Sequence, residues 1–144
     1  MDTLAIAADR LELQDLIARL GTALDDHRFD DLRELMADSI TVQTPGGTAR
    51  GRDAAVVQAT RNHERYDWLQ HQFSGVLVDL DGDRAAVRAN MLGVFGNAPD
   101  KQPSRVLGAV YRCEAVRTPD GWRFASVEVG VVWFYGEAPV PVPA

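Results

Sequence analysis

At 144 residues, with 46% apolar and 25% charged side chains, the chain has the size and make-up of one folded domain. That excludes a largely disordered polymer, a collagen-like fibre and a small disulfide scaffold. A formal charge of −6, from 15 Lys and Arg against 21 Asp and Glu, with no basic cluster, argues against a partner presenting nucleic acid phosphates or an anionic membrane surface. Cys113 is the only cysteine, so neither an intramolecular disulfide nor a multi-cysteine metal site can form. Residues 1–10 lack a basic stretch followed by a sustained apolar run, and no segment reaches the ~20 apolar residues of a membrane span. The expectation is a single domain over residues 1–138, acting in the cytoplasm. A Pro-rich tail over 139–144 is expected to be extended or frayed.

Helical patterning comes first along the chain. Leu13, Leu16, Ile17, Leu20 and Leu24 form one apolar stripe at helical spacing. Asp9 with Glu12 reads as a capping box, which starts this helix near residue 10, and the charged run from Asp25 to Arg28 ends it. Asp30 can cap a short second helix carrying Leu32, Leu35 and Met36. Ser39–Thr44 alternates as a short strand closed by Pro45, Gly46 and Gly47, and a third helix runs from Gly51 to about His63.

Four longer strands follow, over about 70–80, 84–95, 104–117 and 122–135, with Asp-Gly turns at Asp81-Gly82 and Asp120-Gly121. Helices followed by an antiparallel meander give an α+β class. Leu107, Ala109, Tyr111, Cys113 and Ala115 share the uncharged side of their strand and are expected inward. Val127, Val129, Val131 and Trp133 form the matching row on the last strand. A long curved sheet wrapped over helices that cannot fill it leaves an apolar pocket, the usual place for a small molecule.

Among the three histidines, His27 in a charged turn and His63 at the end of a polar helical stretch read as solvated surface residues. His71 alternates with Phe73 and Leu77, which places an imidazole among apolar neighbours, where it could move protons near neutrality. From spacing alone, a hydrogen-bonded core or rim histidine is the commoner case. Asp25 ends the first helix, where the dipole disfavours a carboxylate unless a donor compensates; a solvated turn aspartate is the commoner case there too. No His, Asp or Glu spacing matches a metal site, and residues 44–51 lack the lysine and spacing of a phosphate loop. Cys113 reads as a small apolar filler. Tyr66, Trp68, Phe73, Tyr111 and Trp133 could line a pocket or fill a core.

Several short stretches resemble the SnoaL-like branch of the nuclear transport factor 2-like superfamily. They are Leu16-Ile17-Ala18-Arg19, Ala23-Leu24-Asp25 with Phe29-Asp30-Asp31-Leu32, Gly51-Arg52-Asp53-Ala54, and Asp120-Gly121-Trp122-Arg123-Phe124. Their order covers about residues 9–135. The resemblance implies a cone: a strongly curved antiparallel sheet enclosing a pocket, covered by three N-terminal helices, in chains that assemble as homodimers or homotrimers through the sheet. Asp25 and His71 look like the Asp-His pair of scytalone dehydratase and hexachlorocyclohexane dehydrochlorinase. On that likeness, Asp25 orients His71, which takes a proton from substrate. The dehydratase's tyrosine beside the aspartate is Leu24 here, and its second strand histidine has only Asn90 as a counterpart. The base and oxyanion residues of ketosteroid isomerase fall on Thr44 and on Val106-Leu107-Gly108.

The functional expectation is a cofactor-independent lyase, isomerase or cyclase acting on a small, largely apolar, cyclic or aromatic metabolite. His71 is its base and Asp25 its orienter. Tyr111, Asn90 and Tyr66 are candidate donors to a developing oxyanion, and Trp68, Phe73, Met91 and Trp133 complete the lining. Acid–base groups in a dry pocket suffice for enolisation and elimination, so no metal or nucleotide is required. A non-catalytic binding or assembly module of the same fold is the alternative; a structural small subunit of an oxygenase is a third reading.

Overall fold

The computed structural model describes residues 2–97 and 99–137; the expected Pro-rich tail at 139–144 lies outside them. Two α-helices, α1 (Thr3–Asp25) and α2 (Arg52–His63), and a 3₁₀ turn (Asp30–Leu35) accompany six strands. These are β1 (Met36–Thr44), β2 (Gly47–Arg50), β3 (Trp68–Asp81), β4 (Arg84–Gly96), β5 (Pro103–Thr118) and β6 (Gly121–Gly136). They form one sheet in the order β2-β1-β6-β5-β4-β3. Each pair is antiparallel except β1 with β6, which run parallel. The parallel pair and the four-residue β2 are additions to the expected meander. β2 is too short to carry a period-2 signal, and a parallel pairing depends on contacts distant in sequence.

The leucine stripe of α1 is buried: Leu13, Leu16, Ile17, Leu20 and Leu24 all lie in the core with Ala23 and the 3₁₀ residues Leu32 and Leu35. The expected inner row of β5 is likewise buried from Leu107 through Ala115. Register shifts at Ser74/Leu77 on β3, Gly108/Ala109 on β5 and Glu114/Ala115 on β5 interrupt the ladders; such bulges bend and twist a sheet locally.

The start of α1 differs from expectation. Asp2 is the N-cap, its side chain accepting from the Leu4 N–H, and the helix begins at Thr3. Asp9 is therefore inside the helix. Its carboxylate accepts both arms of the Arg117 guanidinium, at 2.9 and 2.7 Å, and the indole N–H of the fully buried Trp122 at 3.0 Å. Glu12, the other half of the expected capping box, accepts the Trp122 backbone N–H at 2.6 Å. Hydrogen bonds from Arg117 and Trp122 hold the Asp9 carboxyl below its ordinary range. Helix and hairpin are thus tied by charge-assisted bonds to partners more than 100 residues away, which local sequence patterns do not report.

Replacing Asp9 with Ala strands the buried Trp122 N–H and takes from Arg117 one of its two carboxylates, leaving it Asp83. We expect a loss of about 2 kcal/mol in urea unfolding, with Asp9→Asn losing less because an amide oxygen still accepts from Trp122. An unchanged midpoint in Asp9→Ala would contradict this account of the anchor.

Candidate active site

The end of α1 is shaped by its last residues. The His27 N–H donates to the Leu24 carbonyl and the Arg28 N–H to the Ala23 carbonyl, with His27 at a φ of 55°. This is the two-bond closure that usually recruits glycine at the left-handed position. The His27 ring in turn bonds the Tyr66 carbonyl through Nε2 at 2.9 Å, securing the helix end to the segment before β3.

Asp25 is the last residue of α1, and across from it stands the fourth residue of β3, His71. The His71 backbone N–H donates to both carboxylate oxygens of Asp25, at 2.9 and 3.0 Å, and its ring Nδ1 lies 2.7 Å from Oδ1. An ionised carboxylate only accepts, so Nδ1 is the donor and its N–H is aimed at Asp25. The His71 side chain is 1% exposed and that of Asp25 20%. These donors offset the unfavourable placing of a carboxylate at a helix C-terminus. Gly21, one turn before Asp25, makes the approach possible: a Cβ there would stand 2.9 Å from the Phe73 ring and 3.3 Å from the His71 Cβ.

Around His71 the inner face of the sheet carries Leu69 and Phe73 on β3, Met91 and Phe95 on β4, and Leu107, Ala109 and Tyr111 on β5. The Phe95 ring meets the His71 ring edge-on at 5.6 Å, and Phe73 meets Tyr111 at 5.0 Å. Tyr111 is buried; burial, then Cys113 and Asp25, push its phenol upward, so it remains a neutral O–H donor. Burial pushes the Cys113 thiol up to about 12, which leaves it un-ionised and a weak nucleophile, in keeping with a filler. Tyr66 is buried against Phe95 at 5.1 Å, and its hydroxyl accepts from Arg65.

Three expected lining residues lie elsewhere. Asn90 is exposed on the opposite face of β4, between the inward Ala89 and Met91, where its amide packs on Gly75. Trp68, next to the inward Leu69, lies over Gly96 on that same opposite face. Trp133 was expected to continue the Val127, Val129, Val131 row. The bulge at Val132 pairs Ala109 with Val131 but Gly108 with Trp133, so the indole covers Gly108 on the outer side and is 48% exposed. Each departure is a matter of strand phase, since side chains alternate faces residue by residue.

One site residue escaped the sequence reading. His63, expected on the surface, is only partly exposed, and its ring lies 5.3 Å from that of His71 and 6.3 Å from Phe95. Its Nδ1–H donates to the Ala59 carbonyl at 2.7 Å. Burial, then the neighbouring His71, lower its pKa from 6.5 to about 3, so it stays neutral beside the pair. A faint signal was available: a histidine closing a helix immediately before an aromatic Tyr66-Asp67-Trp68 turn into β3. His27, by contrast, is exposed as expected.

Among the described residues no three His, Cys, Asp or Glu side chains cluster as metal ligands would, and no helix is long and apolar enough to cross a membrane. A groove of about 380 Å³ on the outer face of the sheet, lined by charged side chains such as Asp79, Arg88, Arg112, Glu114 and Glu128, contains neither Asp25 nor His71.

A family model of the SnoaL-like domain matches residues 5–128. The chain belongs to the SnoaL-like family. A relative from Mycobacterium tuberculosis (strain ATCC 25618 / H37Rv), itself uncharacterized, is 33% identical over 125 residues, covering 85% of each chain. Among solved structures, a hexachlorocyclohexane dehydrochlorinase from Novosphingobium barchaimii is 20% identical with a TM-score of 0.82, covering 99% of this chain and 100% of that one. A provisionally designated scytalone dehydratase from Novosphingobium aromaticivorans is 18% identical with a TM-score of 0.84, covering 98% and 97%. At these identities the two structures speak for the cone fold, which this SnoaL-like chain shares with them.

The neutral state of His63 has a consequence for acid stability. Its folded pKa of about 3 lies below the unfolded 6.5, so between those values the unfolded chain binds a proton that the native one refuses. Stability from this group is whole above pH 6.5 and drains away on acidification by about 1.4 kcal/mol per pH unit. Urea unfolding at pH 6, 5 and 4 should show a slope shallower by about one proton in His63→Gln; equal slopes would disprove the assignment.

Proposed function

We propose that this SnoaL-like protein is a cofactor-independent lyase, isomerase or cyclase acting on a small, largely apolar, cyclic or aromatic metabolite. The supporting observation is the Asp25–His71 contact: a carboxylate that fixes the Nδ1–H tautomer of an imidazole withdrawn from water. His71 Nε2 takes a proton from substrate carbon or hydroxyl, and the Asp25 carboxylate stabilises the imidazolium that forms. Return of that proton to the leaving group or to another carbon completes an elimination or an isomerisation. Tyr111, held neutral on the same inner face, is the donor to a developing oxyanion, and Phe73 and Met91 are apolar walls. The fold likeness to proteins described as a dehydrochlorinase and a dehydratase supports this class of chemistry.

A second reading, a non-catalytic binding module, draws on the burial of the His71 side chain to 1% exposure. Turnover separates the two. Cyclic ketones, alcohols and halides are screened in D₂O by NMR for elimination or hydrogen–deuterium exchange. A substrate converted by the wild-type chain should lose ~10²–10⁴-fold in rate in both His71→Ala and Asp25→Asn, with near-UV circular dichroism unchanged. Undiminished rates in either variant would remove the mechanism.

We further infer assembly as a homodimer or homotrimer through the sheet. On the outer face of the sheet Trp133 covers Gly108, whose other neighbour is Leu92, and Tyr135 stands opposite Val106; with Trp133 48%, Tyr135 74% and Leu92 37% exposed, these side chains form a contiguous apolar patch of the kind that marks an association surface. Light scattering should give two or three times the chain mass, and Trp133→Glu should lower it; a monomeric wild-type protein at micromolar concentration would overturn the assembly.

A further inference from the structure

The inner row of β5 does not begin at Leu107. By register, Arg105 stands directly opposite Phe95 on β4, on the same face as Leu107, Ala109 and Tyr111. Its guanidinium carbon lies 5.1 Å from the centre of the Phe95 ring. The Arg105 Nε is buried and has no hydrogen-bond partner. Among the described residues the other partly buried arginines find acceptors: Arg33 reaches Asp30 and Asp53, Arg52 reaches Asp38, Arg88 reaches Asn90, and Arg123 reaches the Trp122 carbonyl. Among the described residues Arg105 has a hydrogen bond or ion pair to none.

A half-buried guanidinium with a desolvated, unpaired N–H is unfavourable unless something supplies an acceptor. The chemistry it fits best is a planar anion, because Nε–H and a neighbouring Nη–H form a fork that matches the two oxygens of a carboxylate. Its location is equally specific. Phe95 has Arg105 at 5.1 Å, His71 at 5.6 Å and His63 at 6.3 Å, so one phenyl ring separates the cation from the proton-transferring imidazole. After burial and His71, the Arg105 charge also acts to keep His63 neutral, which attests to its reach into this part of the site.

We propose that Arg105 is an anion subsite of the Asp25–His71 site and that the substrate is a small carboxylic acid. Its carboxylate is gripped by the guanidinium, and its ring or chain lies along Phe95 toward His71. The inference rests on the catalytic reading above and narrows the substrate class: of the apolar metabolites the fold admits, this chain takes those bearing one carboxylate a few bonds from the reacting carbon. No other charge on the inner face is needed, and Tyr111 remains free for the reacting oxygen.

The test is binding, which does not require turnover. Benzoate and cyclohexanecarboxylate are compared with benzamide and cyclohexanecarboxamide by ¹H–¹⁵N NMR titration of the full-length protein at pH 7. Both carboxylates should bind the wild-type protein at least ~10-fold more tightly than their amides. Arg105→Gln should abolish that preference, and Arg105→Lys, which keeps the charge and loses the fork, should retain part of it. Equal affinity for acids and amides in the wild-type protein, or an undiminished preference in Arg105→Gln, overturns the subsite. The wild-type comparison stands even if a variant fails to fold. A carboxylate preference that depends on Arg105, alongside full turnover in His71→Ala, would retain the subsite and discard the catalytic pair; the reverse pattern would do the opposite.

Discussion

Asp25 sits where a helix least tolerates a carboxylate, at the negative end of α1. What makes the position stable is the Asp25 carboxylate's acceptance of hydrogen bonds from a single residue of another element, the backbone N–H and the ring Nδ1–H of His71. The bonds do two things at once. They pin the end of the helix to the edge strand β3, and they set the direction of an imidazole on the inner face of the sheet. Stability and the proposed chemistry therefore share one contact. Gly21 is the steric condition for it, since a side chain there would intrude on both Phe73 and His71.

The opposite part of α1 is fastened by a different means. Asp9 and Glu12 hold Trp122 and Arg117 of the last hairpin, so the long helix is secured to β3 through its C-terminus and to β5 and β6 nearer its N-terminus. Between the two anchors the leucine stripe supplies the apolar burial that accounts for most of the packing. A helix held at both ends is a suitable mount for the carboxylate proposed to orient His71, because placement errors of even an ångström weaken proton transfer.

Around the pair, charge is managed by neutrality. His63 stays uncharged beside His71 and Tyr111 stays protonated. Among the described residues, the Arg105 guanidinium across Phe95 is a charge on this face with no hydrogen-bonding partner. An apolar wall, the Asp25–His71 contact and a cation set apart by one ring are the features on which the proposed acid substrate rests.

Much of this was legible in the linear order of residues. The leucine stripe, the Asp-Gly hairpins and the buried row from Leu107 to Ala115 follow from period and turn chemistry, which act between near neighbours. The resemblance to SnoaL-like proteins pointed to Asp25 and His71 together, whereas neither residue alone rose above a surface aspartate and a core histidine. What the fold decided was phase and company. A bulge at Val132 carried Trp133 to the outer face, and alternation put Asn90 and Trp68 there as well. Packing of the end of α2 against β3 brought His63 inward, and the Phe95 register turned Arg105 into an inner residue. Composition and periodicity determine which elements form, because those forces are local; which face a residue joins depends on bulges and registers set by contacts far apart in the chain, and only the assembled sheet resolves them.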